Sequence, residues 1–253
     1  MRIRILAIVF ISVLLPGLAR AQGNKSSCDR ACLEKYVDRY MDAMLKHDPS
    51  LELFSRDCKF TENGVRLPLG HEGLWFGMSG KGNYKFYIPD IETQQVAFLG
   101  TAREGAANKQ GEAPLVAVAV RLKIANGLIA EAEQLVLRSD SDTMGMTGKL
   151  SVGASVEKMG KPHEIYRDVI PEAERLSREE LIKAANYYFS GMQKNDGKGY
   201  YPFTDDCHRI ENGMPATNVP VPEGQKRPDP KTATCIRLHG AVRNSSSLVL
   251  SVL

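Results

Sequence analysis

Apolar side chains recur at helical spacing over Leu33, Tyr36, Val37, Tyr40, Met41 and Met44, and again over Leu181, Ala184, Ala185, Tyr188 and Met192. Both stretches predict amphipathic helices with one buried stripe. Ser177 with Glu180 three residues later predicts a capping box at the start of the second. Between the helices the period drops to two, and residues 83–89, 93–103, 115–125 and 128–137 read as strands. Asn126-Gly127 separates the last two, the pair of residues favoured where both turn positions need positive φ. Gly70 to Gly77 reads as a short helix or a loop. The fold class is therefore α+β, with helices packed on one face of a curved antiparallel sheet.

The stretch from Leu33 to Gly64 returns at Leu181 to Gly213. Tyr40, Met44, Lys46 and Asp48 correspond to Tyr188, Met192, Lys194 and Asp196; Phe54, Asp57-Cys58 and Glu62-Asn63-Gly64 correspond to Phe203, Asp206-Cys207 and Glu211-Asn212-Gly213. The expected organisation is a first domain over 28–138, a linker over 139–172 and a second domain over 173–253. Only 40 residues follow Gly213, against about 75 that build the sheet after Gly64, so the second copy is expected to be incomplete, through truncation or a frameshifted end.

Arg2 and Arg4, the apolar run from Ile5 to Leu15, and Ala19-Arg20-Ala21 form the three parts of a cleavable signal peptide over residues 1–21. The run is shorter than the ~20 residues needed to cross a bilayer. A secreted protein, extracellular or periplasmic, is the expectation, with no membrane association after cleavage. Removing the segment takes away three arginines and no acid, leaving 30 basic and 30 acidic side chains. That balance argues against nucleic acid as a partner. The five cysteines lack any C-x-x-C pair and the histidines stand apart, which favours disulfides over a metal site. Cys207 is expected to bond Cys235, and Cys58 to bond Cys28 or Cys32. A Cys28–Cys32 bond is disfavoured for two residues four apart on one helix face.

A two-residue turn at Asn126-Gly127 would pair Leu122 with Glu131 and Val120 with Glu133, placing both glutamates on the apolar face. Carboxylates there are desolvated and suited to general acid or base work. A one-residue bulge would instead send them to solvent, beside basic neighbours. Glu62 and Glu211 each precede an Asn-Gly, either at a strand end facing a cavity or as part of the turn. Tyr36 and Tyr40 pack with their hydroxyls free to reach a pocket, and Trp75 stands between Leu74 and Phe76 as core or as ligand platform. No Ser-His-Asp order and no phosphate loop can be assembled.

With Thr61-Glu62-Asn63-Gly64, Gly73-Leu74-Trp75, Arg121 to Ile124 and Asn126 to Glu133 in the first copy, and Asn195 to Gly197, Pro202-Phe203 and Cys207 to Gly213 in the second, the chain resembles the SnoaL-like branch of the nuclear-transport-factor-2-like superfamily. Within it, the chain resembles a group of secreted tandem proteins. The resemblance covers residues 28–138 and 173–213 and departs after Cys235. It implies a cone-shaped fold around a pocket, among relatives that include ketosteroid isomerases, polyketide cyclases and dehydratases working by carboxylate chemistry. It points to Glu131 or Glu133 as base by strand position; Tyr40 is the candidate donor, and Tyr36, Glu62, Trp75 and Glu211 are candidate pocket residues. The expectation is a small-molecule pocket protein without a cofactor, acting as an isomerase, dehydratase or cyclase on an apolar or carbohydrate-like molecule. The alternative is a non-catalytic ligand-binding or dimerising module, since fold does not settle function.

Overall fold

A computed structural model describes residues 27–50, 52–109, 111–138, 150–194, 208–215 and 223–224. The expectations for the signal peptide, for Cys207 and Cys235, and for the chain after Gly224 lie outside the described residues.

Helix α1 (Arg30–Leu45) starts where Asp29 accepts a 2.8 Å bond from the Cys32 N–H, and it buries the six apolar positions read from the pattern. It stops at His47, whose φ of 54° cannot continue a helix. Strands β1 (Phe54–Glu62) and β2 (Val65–Arg66) follow, then the single-turn helix α2 (Leu74–Gly77). Four long strands complete the sheet: β3 (Met78–Asp90), β4 (Gln95–Glu104), β5 (Leu115–Ala125) and β6 (Leu128–Leu137). Strand order is β2-β1-β6-β5-β4-β3. The last two strands have the bounds that the alternation predicted. The sheet is not wholly antiparallel, because β1 runs parallel to β6. The pattern did not predict β1, since few of its nine residues, Phe54, Phe60 and Glu62 among them, are buried.

One face of the sheet, carrying Val96, Phe98, Val116, Val118, Val120 and Leu122, packs against α1. Full burial of each such side chain contributes roughly 1.5–3 kcal/mol. The opposite face receives α3 (Val152–Lys158), whose Val152 and Val156 meet Ala117, Leu137 and Tyr84. The predicted linker therefore contains a packed element, too short for its period to stand out. Asn63-Gly64, Asn126-Gly127 and Asn212-Gly213 all turn with two successive positive φ angles, as paired left-handed residues allow.

Glu157 fixes α3 to the sheet edge. It accepts from the backbone N–H of Asn83 (2.9 Å) and of Tyr84 (3.2 Å), from the Asn83 amide (2.7 Å) and from the Thr101 hydroxyl. Burial opposes the charged form, but these donors outweigh it and hold the carboxyl below its usual value. A depressed folded-state value means stability that is complete above the ordinary value of 4.5 and is lost as pH falls through the lower one. Glu157→Gln is expected to lose roughly 1–2 kcal/mol near neutral pH, and less in acid, once the pH is low enough to protonate the native carboxyl. Urea unfolding of both proteins near neutral pH and in acid reads this; an equal gap at both would contradict it.

Helix α4 (Arg178–Lys194) opens with the predicted capping box: Ser177 N–H donates to Glu180 Oε2 at 2.8 Å, and Glu180 N–H donates to Ser177 Oγ at 3.3 Å. Arg178 anchors it to Asp90 across 3.0 Å. Its apolar stripe is not buried as α1's is: Leu181, Ile182 and Phe189 are exposed, while Tyr188 is buried. Tyr188 packs beside Arg209, next to the hairpin of β7 (Ile210–Glu211) and β8 (Met214–Pro215).

Candidate functional site

The β5–β6 hairpin decides where the carboxylates go. Ile124 faces Ile129 as the turn predicts, but the next pairs are Lys123 with Glu131 and Arg121 with Glu133. Ala130 is thus the extra residue of a bulge, and every later side chain on β6 changes face. Of the two registers the sequence left open, the bulged one is found, and the placement of Glu131 and Glu133 on the apolar face is corrected: both lie opposite α1, on either side of Arg121. Arg121 donates to Glu131 and to Glu133 at 3.0 Å each, and to Gln95 Oε1 at 2.8 Å. With the glutamate side chains 31% and 54% exposed, these are surface pairs. Glu131→Gln and Glu133→Gln should each change stability by less than about 1 kcal/mol, as measured by denaturant titration; a loss several times larger would place them in a tighter environment.

The same bulge turns Gln134 inward, opposite Val120, where it is completely buried. Tyr40, also fully buried, donates its hydroxyl to Gln134 Oε1 at 2.7 Å and accepts from Trp75 Nε1 at 3.2 Å. Gln134 Nε2 donates to Glu62 Oε2 at 2.8 Å, and the Leu74 N–H donates to the same oxygen at 2.8 Å. Arg138 donates to Glu62 Oε1 at 2.9 Å and carries the chain outward to Glu104 at 2.7 Å. Of the residues singled out in the sequence, Tyr40, Trp75 and Glu62 are brought together here. Gln134, Arg138 and Glu104 were missed, because only the bulge gives Gln134 its place.

Aromatic side chains occupy the interior beside this network. The Trp75 ring meets Tyr40, Phe54 and Phe60 edge-on at centroid distances of 5.5, 5.7 and 6.5 Å. Burial drives the Tyr40 phenol far above its ordinary value; the Trp75 bond acts the other way, and the nearby Cys58 thiol, once ionised at high pH, and the Glu62 carboxylate add to the rise. Tyr40 is thereby a fixed hydrogen-bond donor rather than a proton source. Tyr36 points elsewhere, donating to the Gly127 carbonyl at 2.8 Å and tying α1 to the hairpin turn. Glu211 lies in the separate β7–β8 hairpin, paired with Arg209.

The disulfide expectation is also corrected. Cys28 and Cys32 are bonded, with Cα atoms 5.1 Å apart, and Cys58 is free. Cys28 precedes the cap residue Asp29, so the pair straddles the helix start instead of sharing a helix face. Burial, followed by the charges of Asp57 and Glu131, pushes the Cys58 thiol up to about 11, which keeps it protonated and unreactive near neutral pH.

Space for a ligand lies outside the sheet interior. Residues 162–175 cross the outer side of β3 and enclose a groove of about 740 Å³. Phe86, Tyr87 and Tyr166 supply aromatic surface, with the Phe86 and Tyr166 rings 4.8 Å apart. Arg30, Lys85, Arg167 and Arg175 add basic groups around it. A second cavity, between α3, the sheet and the Ile210–Gly213 turn, measures only about 20 Å³, room for about one water.

Residues 174–247 match the family described as Domain of unknown function (DUF8021). No curated protein matches the chain. In structure it is similar to an NTF2-like protein of unknown function from Cytophaga hutchinsonii, at 14% identity over 42% of this chain and 99% of that one, with a TM-score of 0.30. It is similar also to a protein of unknown function with a cystatin-like fold from Methylobium petroleophilum, at 16% identity over 60% of this chain and 99% of that one, with a TM-score of 0.35.

Proposed function

We propose that this chain is an exported binding module for a small molecule, and that its ligand occupies the groove between β3 and residues 162–175. The observation that carries this reading is the distribution of space. The sheet interior, where an acid/base pocket would sit, is occupied by Trp75, Tyr40, Phe54 and Phe60, while the groove has the roughly 300–1,000 Å³ volume of ligand sites. Its mixture of aromatic surface and a few charged groups is the composition such sites use. Export rests on the character of residues 1–21 and is supported by the Cys28–Cys32 bond, since disulfides persist in oxidising compartments.

The outward position of Glu131 and Glu133 removes the geometry on which an isomerase, dehydratase or cyclase reading depended. Both carboxylates already share Arg121, and Glu62 already accepts three hydrogen bonds. Binding without turnover is therefore the reading that the geometry supports best.

The test compares the full chain with a Tyr166→Ala variant and with a Glu131→Gln/Glu133→Gln variant, by native mass spectrometry after exposure to a metabolite extract. A compound kept by the wild type and the glutamine variant, lost from the Tyr166 variant and recovered unchanged, is the expected result. Retention by the Tyr166 variant with loss from the glutamine variant would move the site to the outer sheet face and overturn the reading.

A further inference from the structure

The charge pattern of the groove goes one step further and rests on the reading just given. Four basic side chains line it, Arg30, Lys85, Arg167 and Arg175, against two acidic ones, Glu34 and Asp168. Arg30 already pairs with Glu34 at 3.5 Å, and Lys85 with Asp38 at 3.5 Å. Arg175 uses its Nε on the Ile170 carbonyl at 2.8 Å, which leaves the far end of its guanidinium for other partners. Arg167 is exposed and has no ion-pair partner among the described residues. The groove therefore holds more positive charge than its own acids balance.

Its other wall is apolar. Phe86 and Tyr166 lie ring against ring, and Val169 and Ile170 stand 81% and 53% exposed at the lip. Such a surface takes a flat or branched apolar body out of water, and basic groups at its border favour a negative end.

We infer that the groove selects amphipathic anions: small molecules with an apolar body and one carboxylate, sulfonate or phosphate group, the body lying along Phe86, Tyr166 and Ile170 and the charge directed to Arg167 and Arg175. A neutral molecule with the same body gains only the apolar contact. A small, highly charged anion gains only the screened surface attraction.

The experiment uses two probes that share one apolar body, 8-anilinonaphthalene-1-sulfonate and the uncharged N-phenyl-1-naphthylamine, titrated by fluorescence into the full chain. The sulfonate is expected to bind at least about fivefold more tightly, and its affinity to fall by about threefold or more as salt rises from about 20 to 200 mM. Arg167→Glu combined with Arg175→Gln, the two groups to which the charge is directed, should weaken the sulfonate by about five- to tenfold and move the neutral amine by less than about twofold. Circular dichroism of the variant separates this from misfolding, and the amine titration serves as a second control. Equal binding of the two probes, without salt dependence but abolished by Tyr166→Ala, would overturn the anion preference and leave the binding reading standing. Titrations of both probes that Tyr166→Ala and the charge variant leave unchanged would place the dyes elsewhere and overturn both.

Discussion

Replacing Trp75 with alanine is expected to lower the unfolding free energy by about 3–5 kcal/mol, the range for removing a large aromatic from a packed interior. Trp75 is fully buried, contacts the rings of Tyr40, Phe54 and Phe60, and donates its indole N–H to the Tyr40 hydroxyl. Removing it leaves a cavity bordered by these rings, with one buried hydroxyl missing a donor. Such a cavity stays largely dry where its walls are apolar and accepts a matching apolar guest. Indole should therefore raise the melting temperature of the variant and leave the wild type unchanged, because the guest binds only the folded form that has the cavity. Guanidinium unfolding gives the first number and a melting series in indole the second. A loss below about 1 kcal/mol would mean that the interior collapses around the deletion and that Trp75 is not what closes it.

The second large effect is at Glu62. Its carboxylate is 6% exposed and accepts from Gln134, Leu74 and Arg138. Glu62→Ala strands two buried donors, the Gln134 amide and the Leu74 N–H, at roughly 1–3 kcal/mol each. Arg138 suffers less, since it is partly exposed and retains Glu104. A total loss of about 2–5 kcal/mol is expected. Glu62→Gln is not neutral either, because three donors converge on a group that would itself carry an NH₂, and one donor–donor contact becomes unavoidable.

Exchanging the pair tests the network directly. In Glu62→Gln/Gln134→Glu the new carboxylate can accept from Tyr40 and from the amide at position 62, whose oxygen remains available to Arg138 or the Leu74 N–H. The double variant should regain at least about half of the stability lost by Glu62→Gln alone, read as a coupling free energy from a double-mutant cycle. Additive losses would show that the two side chains do not meet in solution as they do here.

Much of the fold was legible in the sequence because it depends on local patterns. The α1 stripe, the Asn126-Gly127 turn, the bounds of β5 and β6, and the capping box at Ser177 each follow from residues within a few positions of one another. Strand β1 was not legible: its pairing with β6 is parallel and distant in sequence, and its apolar alternation is weak. The Cys28–Cys32 bond is not legible from spacing, because two cysteines four apart imply one helix face, whereas the helix begins between them.

Local pattern is enough to place helices over a sheet, to end the sheet in a tight hairpin, and to put polar groups among apolar ones on the last strand. Which polar group would be buried was decided only by the tertiary structure. One extra residue at Ala130 exchanges the faces, so Gln134 enters the core and Glu131 and Glu133 leave it. An alternating pattern is the same in either register, and a single-residue bulge has no local signature; the choice goes with the burial of Ala132 and Val136 in the core and with the partners that Gln134 finds in Tyr40 and Glu62. The groove was likewise invisible in the sequence, since it forms only where residues 162–175, without a period of their own, lie across β3.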